Sequence, residues 1–416
     1  MGAEILHHSY RDVCAELDLR RRIDLGFERI EALLRLLGDP HRSLKVVQVV
    51  GTNGKGTTAV ALASALEACG RPSGAYLSPH VLSYTERTML RGSYASEELF
   101  TAAMSQALRI ADANKIPATQ FELLTAGALA LFRDAGLEWA VLEAGLGARH
   151  DATSAADPGA VVLTNVGLDH TEYLGDTVKK IAREKLASLR PGSILVLGTS
   201  DPRVVGIALE EARRLGVCVV EHGDAGEPSR GAGEVSYLAR NGRLGIRAAE
   251  VLLGRALRPD ERAKAVEAAR AVRPRARFEV HSVRGVPVVV DGGHNPEGLE
   301  AAVGAVRAEY GDSPLGVIFG ALKEKDVGSM LNILERQADS LVLVRPEGAD
   351  GRALDPERVD REYRPRDAGG RRARVVSDAG EALRVAVEEV ERMDGVVLVT
   401  GSLYTGAAVL GRLRDQ

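Results

Sequence analysis

Cysteine is scarce in this sequence. Cys14, Cys69 and Cys218 stand far apart in 416 residues with no CxxC pair, so neither a disulfide framework nor a thiolate metal site is expected. Aromatic residues make up only 4% of the chain, too few for a base-stacking nucleic-acid platform. Neither sign of charge dominates: the net charge is -4 and basic and acidic residues interleave, which lacks the electrostatic footprint of a nucleic-acid binder. Long apolar runs are missing too, since no stretch approaches the roughly 20 residues of a spanning helix. His7, His8, Arg11, Asp12 and Glu16 interrupt the N-terminal segment where a secretory signal needs an apolar core. These absences lead to the expectation of a cytoplasmic protein with neither nucleic acid nor membrane as a partner.

Length and glycine are plentiful. A chain of 416 residues exceeds what one hydrophobic core usually supports, so two or three domains are expected. The 45 glycines gather where apolar runs end. From Leu44 onward short β-rich runs alternate with helical stretches, the pattern of parallel sheets covered by helices. The fold class is therefore α/β.

In the first half strands are predicted at Lys45–Val50, Gly74–Leu77, Trp139–Glu143, Ala160–Asn165 and Ser193–Leu197. Helices are predicted at Thr57–Ala68, Ser96–Ala113, Gln120–Asp134, Asp176–Leu189 and Pro202–Leu215, then at Leu244–Ala256 and Pro259–Val272. Residues 223–233 read as a surface loop. The basic, proline-broken run Arg273-Pro274-Arg275-Ala276-Arg277 reads as the linker. Beyond it strands are expected at Phe278–Val283, Val286–Val290, Leu315–Phe319, Ser340–Val344 and Val396–Val399, separated by helices such as Pro296–Ala308 and Glu381–Met393. The resulting division is 1–275 and 276–416, an N-terminal domain with a mostly parallel sheet, expected to be a P-loop ATPase domain from its glycine-rich loop Gly51-Thr52-Asn53-Gly54-Lys55-Gly56-Thr57-Thr58, and a smaller C-terminal Rossmann-like α/β domain.

The strongest chemical signal is Gly51-Thr52-Asn53-Gly54-Lys55-Gly56-Thr57-Thr58, between a buried strand and a helix. Such a loop aims backbone N–H groups and the positive end of the helix dipole at an anion, and its glycines admit close approach. Lys55 adds a charge for the β- and γ-phosphates, and the Thr57 hydroxyl can orient a phosphate or its Mg²⁺. By itself the loop implies nucleotide binding and leaves kinases, GTPases and ligases open.

The loop resembles that of the Mur ligase superfamily, and its Lys55-Gly56-Thr57 ending resembles the folylpolyglutamate synthase and dihydrofolate synthase branch. Ser78-Pro79-His80 with Tyr84-Thr85-Glu86-Arg87 is similar to that branch's folate-side loop. The segments 143–153 and Gly167-Leu168-Asp169-His170 are similar to its metal and substrate segments. Asp291-Gly292-Gly293-His294-Asn295-Pro296 and Thr400-Gly401-Ser402-Leu403-Tyr404 are similar to its C-terminal motifs.

The resemblance implies an ATP-dependent ligase that adds L-glutamate to dihydropteroate or reduced folates through an acyl phosphate, with these small molecules as its partners and a monomeric state. It implies ATP contacts at Thr52, Asn53, Gly54, Lys55, Gly56, Thr57, Asn241, Arg277 and Asp291. It implies Mg²⁺, as two ions, on Ser78, Glu143, His170 and a carbamylated Lys185, with Lys55, Glu143, His170 and Lys185 serving catalysis. Gln120, Phe121, Glu122, His150, Asp151 and Ala152 are implied around the pterin, and His294 and Ser402 around glutamate. Asn241 reads equally well as a plain loop residue and Phe121 as core, while a lysine at the place of Lys185 in a helix is ordinarily solvated.

Two places depart from the family pattern. Arg275-Ala276-Arg277 stands where Pro-Gly-Arg is usual, which implies a different local turn. Gly147-Ala148-Arg149-His150-Asp151 stands where Gly-Gly-Arg-Leu-Asp is usual, which leaves the acceptor open. A Mur-like ligase for another acid and a nucleotide-binding module without ligation are the rival readings.

Overall fold

The computed structural model describes residues 9–221 and 236–414. By contact these fall into two units, one holding the described residues up to 221 together with Arg240–Pro274, the other holding residues 236–239 and 275–414. The surface loop read at 223–233 lies outside the described residues.

The first unit is built on an eight-stranded sheet. Its strands are β1 (Lys45–Val50), β2 (Ser73–Tyr76), β3 (Thr88–Leu90), β4 (Ser93–Tyr94), β5 (Trp139–Glu143), β6 (Ala160–Leu163), β7 (Ile194–Leu197) and β8 (Cys218–Glu221). Their order is β4-β3-β2-β5-β1-β6-β7-β8, parallel from β2 through β8, with β3 and β4 antiparallel at one edge. β1 is the central rail and reads as an apolar run because both of its faces are covered. On one face Ile30, Phe100, Leu129 and Phe132 form a core, and on the other Val60, Leu62, Leu66 and Leu244 form a second.

The second unit has six strands: β9 (Glu279–Val283), β10 (Val286–Val290), β11 (Leu315–Phe319), β12 (Ser340–Val344), β13 (Arg374–Val376) and β14 (Val396–Thr400). Their order is β13-β12-β11-β14-β10-β9, all parallel except the β9–β10 hairpin. Asn295 accepts the Gly298 N–H to cap helix Pro296–Tyr310, with Pro296 pre-set for the first turn.

Several elements differ from expectation. The helix after the phosphate loop starts at Lys55, two residues early, because Gly54 takes φ +82° and turns the chain directly into it. The helix expected at Leu244–Ala256 is Ser236–Leu253, so Asn241 is helical rather than a loop residue. The helix expected at Asp176–Leu189 is only Val178–Lys185, preceded by the short turn Thr171–Leu174. Strands β3, β4, β8 and β13 were not anticipated, nor were helices Tyr10–Asp18 and Glu28–Leu36. The four strands are short, and β4, β8 and β13 show little or no full burial, so alternation had little length over which to register.

Candidate active site

In the first unit the parallel register decides what meets at the carboxyl end of the sheet. β1 lies between β5 and β6, with Val49 opposite Glu143 and Val50 opposite Leu163. The loop that leaves β1 therefore emerges between the end of β5, which carries Glu143, and the segment Thr164–Gly167 after β6.

That segment braces the loop. The Thr52 and Asn53 N–H groups donate to the Asn165 carbonyl (3.0 Å) and side-chain oxygen (2.9 Å). The Thr52 hydroxyl accepts the Gly167 N–H at 2.9 Å and donates to its carbonyl at 3.2 Å, while the Thr164 hydroxyl donates to the Asn53 carbonyl at 2.7 Å. Thr52 and Asn53 thus hold the loop's shape. The N–H groups at the start of helix Lys55–Ala68 have no intrahelical acceptor and are the natural anion cradle. Thr57 lies in that first turn, half-buried.

Two glycines keep the cradle open. A β-carbon on Gly54 would stand 2.4 Å from Asn241 Nδ2, which places Asn241, itself buried, directly against the loop. A β-carbon on Gly56 would stand 3.1 Å from Glu143 Oε2. Glu143 is buried, and its Oε2 accepts the Ser78 N–H at 2.9 Å. Glu143, Ser78 and the loop therefore share one corner. Carboxylate and hydroxyl oxygens at an opening that only glycine leaves clear suit a hard divalent cation that retains water ligands. Among the described residues no group of three or more His, Cys, Asp or Glu is arranged to hold a metal, so this donor set relies on the hydroxyl and on water.

Lys185 is buried, not solvated. Its Nζ donates to the Gly51 carbonyl at 2.7 Å, and Lys55 Nζ donates to the Thr52 carbonyl at 3.2 Å. Burial first, then the Lys55 charge, hold the Lys185 ammonium down at about 7, against the opposing pull of Asp169 and Asp151. His170, in the left-handed region at φ +49°, has Nε2 4.0 Å from the Asp169 carboxylate, and Asp169 also accepts the His170 N–H. Asp169, Asn165 and Thr164 are contributors not assigned from the sequence; their position after β6 in the Thr164–His170 segment was the available signal.

The residues expected around the pterin divide. The Phe121 ring packs 5.8 Å from the Tyr76 ring and against Gly145, where a β-carbon would come within 2.7 Å. The Gln120 amide donates to the Tyr84 hydroxyl at 2.6 Å. His150 is exposed, with its ring 6.1 Å from Phe27, and Ala152 is buried. Glu122 is committed to structure: it closes the capping box with Thr119 and pairs with Arg29 at 3.1 Å. Asp151 is committed too. One oxygen accepts the Gly145 and Leu146 N–H groups, each at 2.8 Å, and the other accepts the Thr153 N–H and hydroxyl. Gln48, buried in mid-β1, supports this loop by donating to Thr153 and Ser154 at 2.7 and 2.8 Å.

In the second unit Asp291 follows β10. Its carboxylate accepts N–H groups from Phe278 (2.9 Å) and Gly293 (3.0 Å) and the Tyr237 hydroxyl. His294 Nδ1–H donates to the Gly292 carbonyl at 2.9 Å, which fixes the tautomer because a carbonyl can only accept. Gly292 makes room for Arg277, whose Nη1 lies 2.7 Å from where a β-carbon at 292 would stand. Ala276 keeps a glycine-like turn at φ +51°, and Phe278 takes φ +50°. Each left-handed non-glycine residue costs about 1–2 kcal/mol, offset here by carboxylates of Glu279 and Asp291 that accept their N–H groups. Ser402 is buried, accepts the Thr405 N–H at 3.1 Å and shares a hydroxyl bond with Thr405.

Residues 49–237 match the Mur ligase middle domain and residues 276–403 match the Mur ligase glutamate ligase domain. The chain is 30% identical over 403 residues to the dihydrofolate synthase/folylpolyglutamate synthase of Escherichia coli (strain K12), covering 94% of this chain and 92% of that one. It is 36% identical over 425 residues to a probable bifunctional folylpolyglutamate synthase/dihydropteroate synthase of Haloferax volcanii; the match takes in 94% of this chain but only 49%, about half, of that longer protein. A bifunctional folylpolyglutamate synthase/dihydrofolate synthase solved with Mn, AMPPNP and L-glutamate bound superposes with a TM-score of 0.83 at 28% identity, covering 98% of each chain.

Proposed function

Since this chain belongs to the dihydrofolate synthase/folylpolyglutamate synthase family, we propose that it is an ATP-dependent ligase joining L-glutamate to dihydropteroate, to reduced folates, or to both. The observation that carries the reading is the meeting, at one sheet end, of the open helix start at Gly54–Gly56, the Glu143 carboxylate and the buried amine of Lys185.

Amide formation from a carboxylate needs a leaving group, and the γ-phosphoryl of ATP supplies it. An acceptor oxygen takes the phosphoryl and ADP departs; the glutamate amine then attacks the acyl carbon, loses a proton and expels phosphate. Charge spread over the transferring phosphoryl calls for fixed donors rather than a protein nucleophile. The N–H groups of the helix start and Lys55 supply these. A divalent ion held by Glu143, Ser78 and His170 would neutralise phosphate charge at the same corner.

Lys185 with its pKa at about 7 keeps a substantial neutral fraction near neutrality. A neutral amine can add CO₂ and release a proton, giving a carbamate anion that serves as a further metal ligand, which is the role we assign it. Residues 1–275 take ATP and the pterin acid through Gln120, Phe121, His150 and Ala152. Residues 276–416 take glutamate through His294 and Ser402, and we assign Arg277 and Asp291 to nucleotide binding. The protein works as a cytoplasmic monomer.

The test is ADP release with Mg²⁺ and either dihydropteroate or tetrahydrofolate, with and without glutamate. Release that requires a pterin acid and glutamate together is expected. ADP release indifferent to both pterins points to another acid, and none with any acid points to a nucleotide-binding module.

A further inference from the structure

Arg275 and Arg277 stand two residues apart in the turn before β9, and their surroundings differ in kind. Arg275 Nη1 donates to Glu279 Oε1 at 2.6 Å, and His281 Nε2–H donates to the same oxygen at 3.2 Å. The Arg277 guanidinium, among the described residues, donates only to the Ala276 carbonyl, at 3.2 Å. One arginine is engaged by a carboxylate and the other is left open to an anion.

The backbone that separates them is held in an unfavourable shape. Ala276 at φ +51° and Phe278 at φ +50° flank Arg277, and a residue with a β-carbon populates this left-handed region about 5- to 30-fold less than its ordinary one. Carboxylates fix both. Glu279 Oε2 accepts the Ala276 N–H at 3.1 Å and Asp291 accepts the Phe278 N–H at 2.9 Å, while the Ala276 carbonyl accepts the Gly292 N–H at 2.8 Å. Asp291 already has a place in the nucleotide site; Glu279 has none. It opens β9, paired opposite Val290, so the sheet gives its carboxylate a rigid footing. Burial pushes the Glu279 carboxyl up, but the Ala276 N–H, then Arg275 and His281, pull it down by more, so it sits below its ordinary value and stays ionised.

We propose that Glu279 is a positioning residue for the nucleotide: its carboxylate holds the Ala276 turn left-handed and occupies Arg275, so that Arg277 alone presents an open guanidinium to the ATP phosphates. The proposal rests on the assignment of Arg277 to the nucleotide and adds what aims it. Without the carboxylate the turn relaxes, and affinity falls in proportion to the molecules that still hold it.

The test is a cycle of four proteins, wild type, Glu279→Ala, Ala276→Gly and the double variant, each titrated with a non-hydrolysable ATP analogue and Mg²⁺. Glu279→Ala should weaken binding by about 5- to 30-fold, the population that a left-handed alanine loses when nothing holds it. Glycine adopts the turn unaided, so in the Ala276→Gly background the same change should cost less than about 3-fold. Glu279→Gln, which keeps an acceptor oxygen for the Ala276 N–H, should retain most of the affinity and guards against misfolding of the alanine variant. An equal loss in both backgrounds would show that the carboxylate does not hold the turn, and a lowered urea midpoint with unchanged affinity would make Glu279 a residue of the fold alone; either result overturns the proposal. Wild type that binds the analogue but releases no ADP with a pterin acid and glutamate strikes the ligase reading and leaves the cycle intact. Wild type that binds no analogue overturns both.

Discussion

Replacing Lys185 by methionine tests the electrostatics of the site directly. The side chain is buried, with its ammonium on the Gly51 carbonyl and its pKa lowered from 10.5 to about 7. Moving a pKa by one pH unit takes about 1.4 kcal/mol, so the protonated form costs the folded state up to about 5 kcal/mol. The sign follows from proton counting. Between pH 7 and 10.5 the unfolded chain holds a proton on this lysine that the folded chain has released, so folded stability rises with pH across that window. Below pH 7 both states are protonated and the penalty is full; above 10.5 it is gone. Lys185→Met has no such group, but it loses one hydrogen bond and leaves a buried carbonyl unmet, which costs about 1–3 kcal/mol.

In CO₂-free, metal-free buffer the variant should therefore be more stable than wild type at pH 6.5 by about 2–4 kcal/mol, the difference of these two effects. That advantage should shrink by about 1.4 kcal/mol per pH unit above pH 7 and reverse towards pH 10. Urea unfolding of the first unit at pH 6.5, 8 and 9.5 measures it, with other titrating groups cancelling between the two proteins. A difference that stayed constant with pH would show that the Lys185 amine titrates normally and would remove the basis for a neutral amine in the site.

Gly54→Ala places a methyl 2.4 Å from Asn241 Nδ2 at φ +82°, so binding of an ATP analogue should fall sharply. Asn241→Ala in that background should restore part of it, because the clash is relieved while about 1–2 kcal/mol of backbone strain remains; no restoration would mean that Asn241 does not set the loop. Asp151→Asn puts an NH₂ group where the carboxylate accepts N–H donors. It should destabilise by about 2–3 kcal/mol in urea unfolding, and a wild-type midpoint would refute the bracing role of this carboxylate. Ser402→Ala removes the acceptor of the Thr405 N–H and should lower stability by about 1 kcal/mol, read as a fall in the melting temperature of the second unit. An unchanged melting temperature would rule out that capping role.

The strands Lys45–Val50, Trp139–Glu143, Val286–Val290, Leu315–Phe319 and Ser340–Val344 were legible to the residue, because a strand buried on both faces is a continuous apolar run ended by glycine or a polar residue. The phosphate loop was legible for a related reason: closeness of backbone to anion demands glycine in the primary sequence, wherever the rest of the site comes from. Asp151 was harder. Its place in the motif marked it, yet only the fold shows both oxygens engaged by Gly145, Leu146 and Thr153.

Lys185 marks the limit most clearly. The family resemblance pointed to it, but the residues around it in the chain are those of an ordinary helix surface. Burial is a property of what packs around a side chain, and a shifted pKa is a property of burial together with distant partners such as Lys55 and Asp169. The sequence by itself determined the class of fold, the nucleotide loop and the order of the motifs, since these depend on local periodicity and backbone freedom. The tertiary structure alone decided which charges are desolvated and what faces them, because electrostatic energy is set by distances across the fold rather than along the chain.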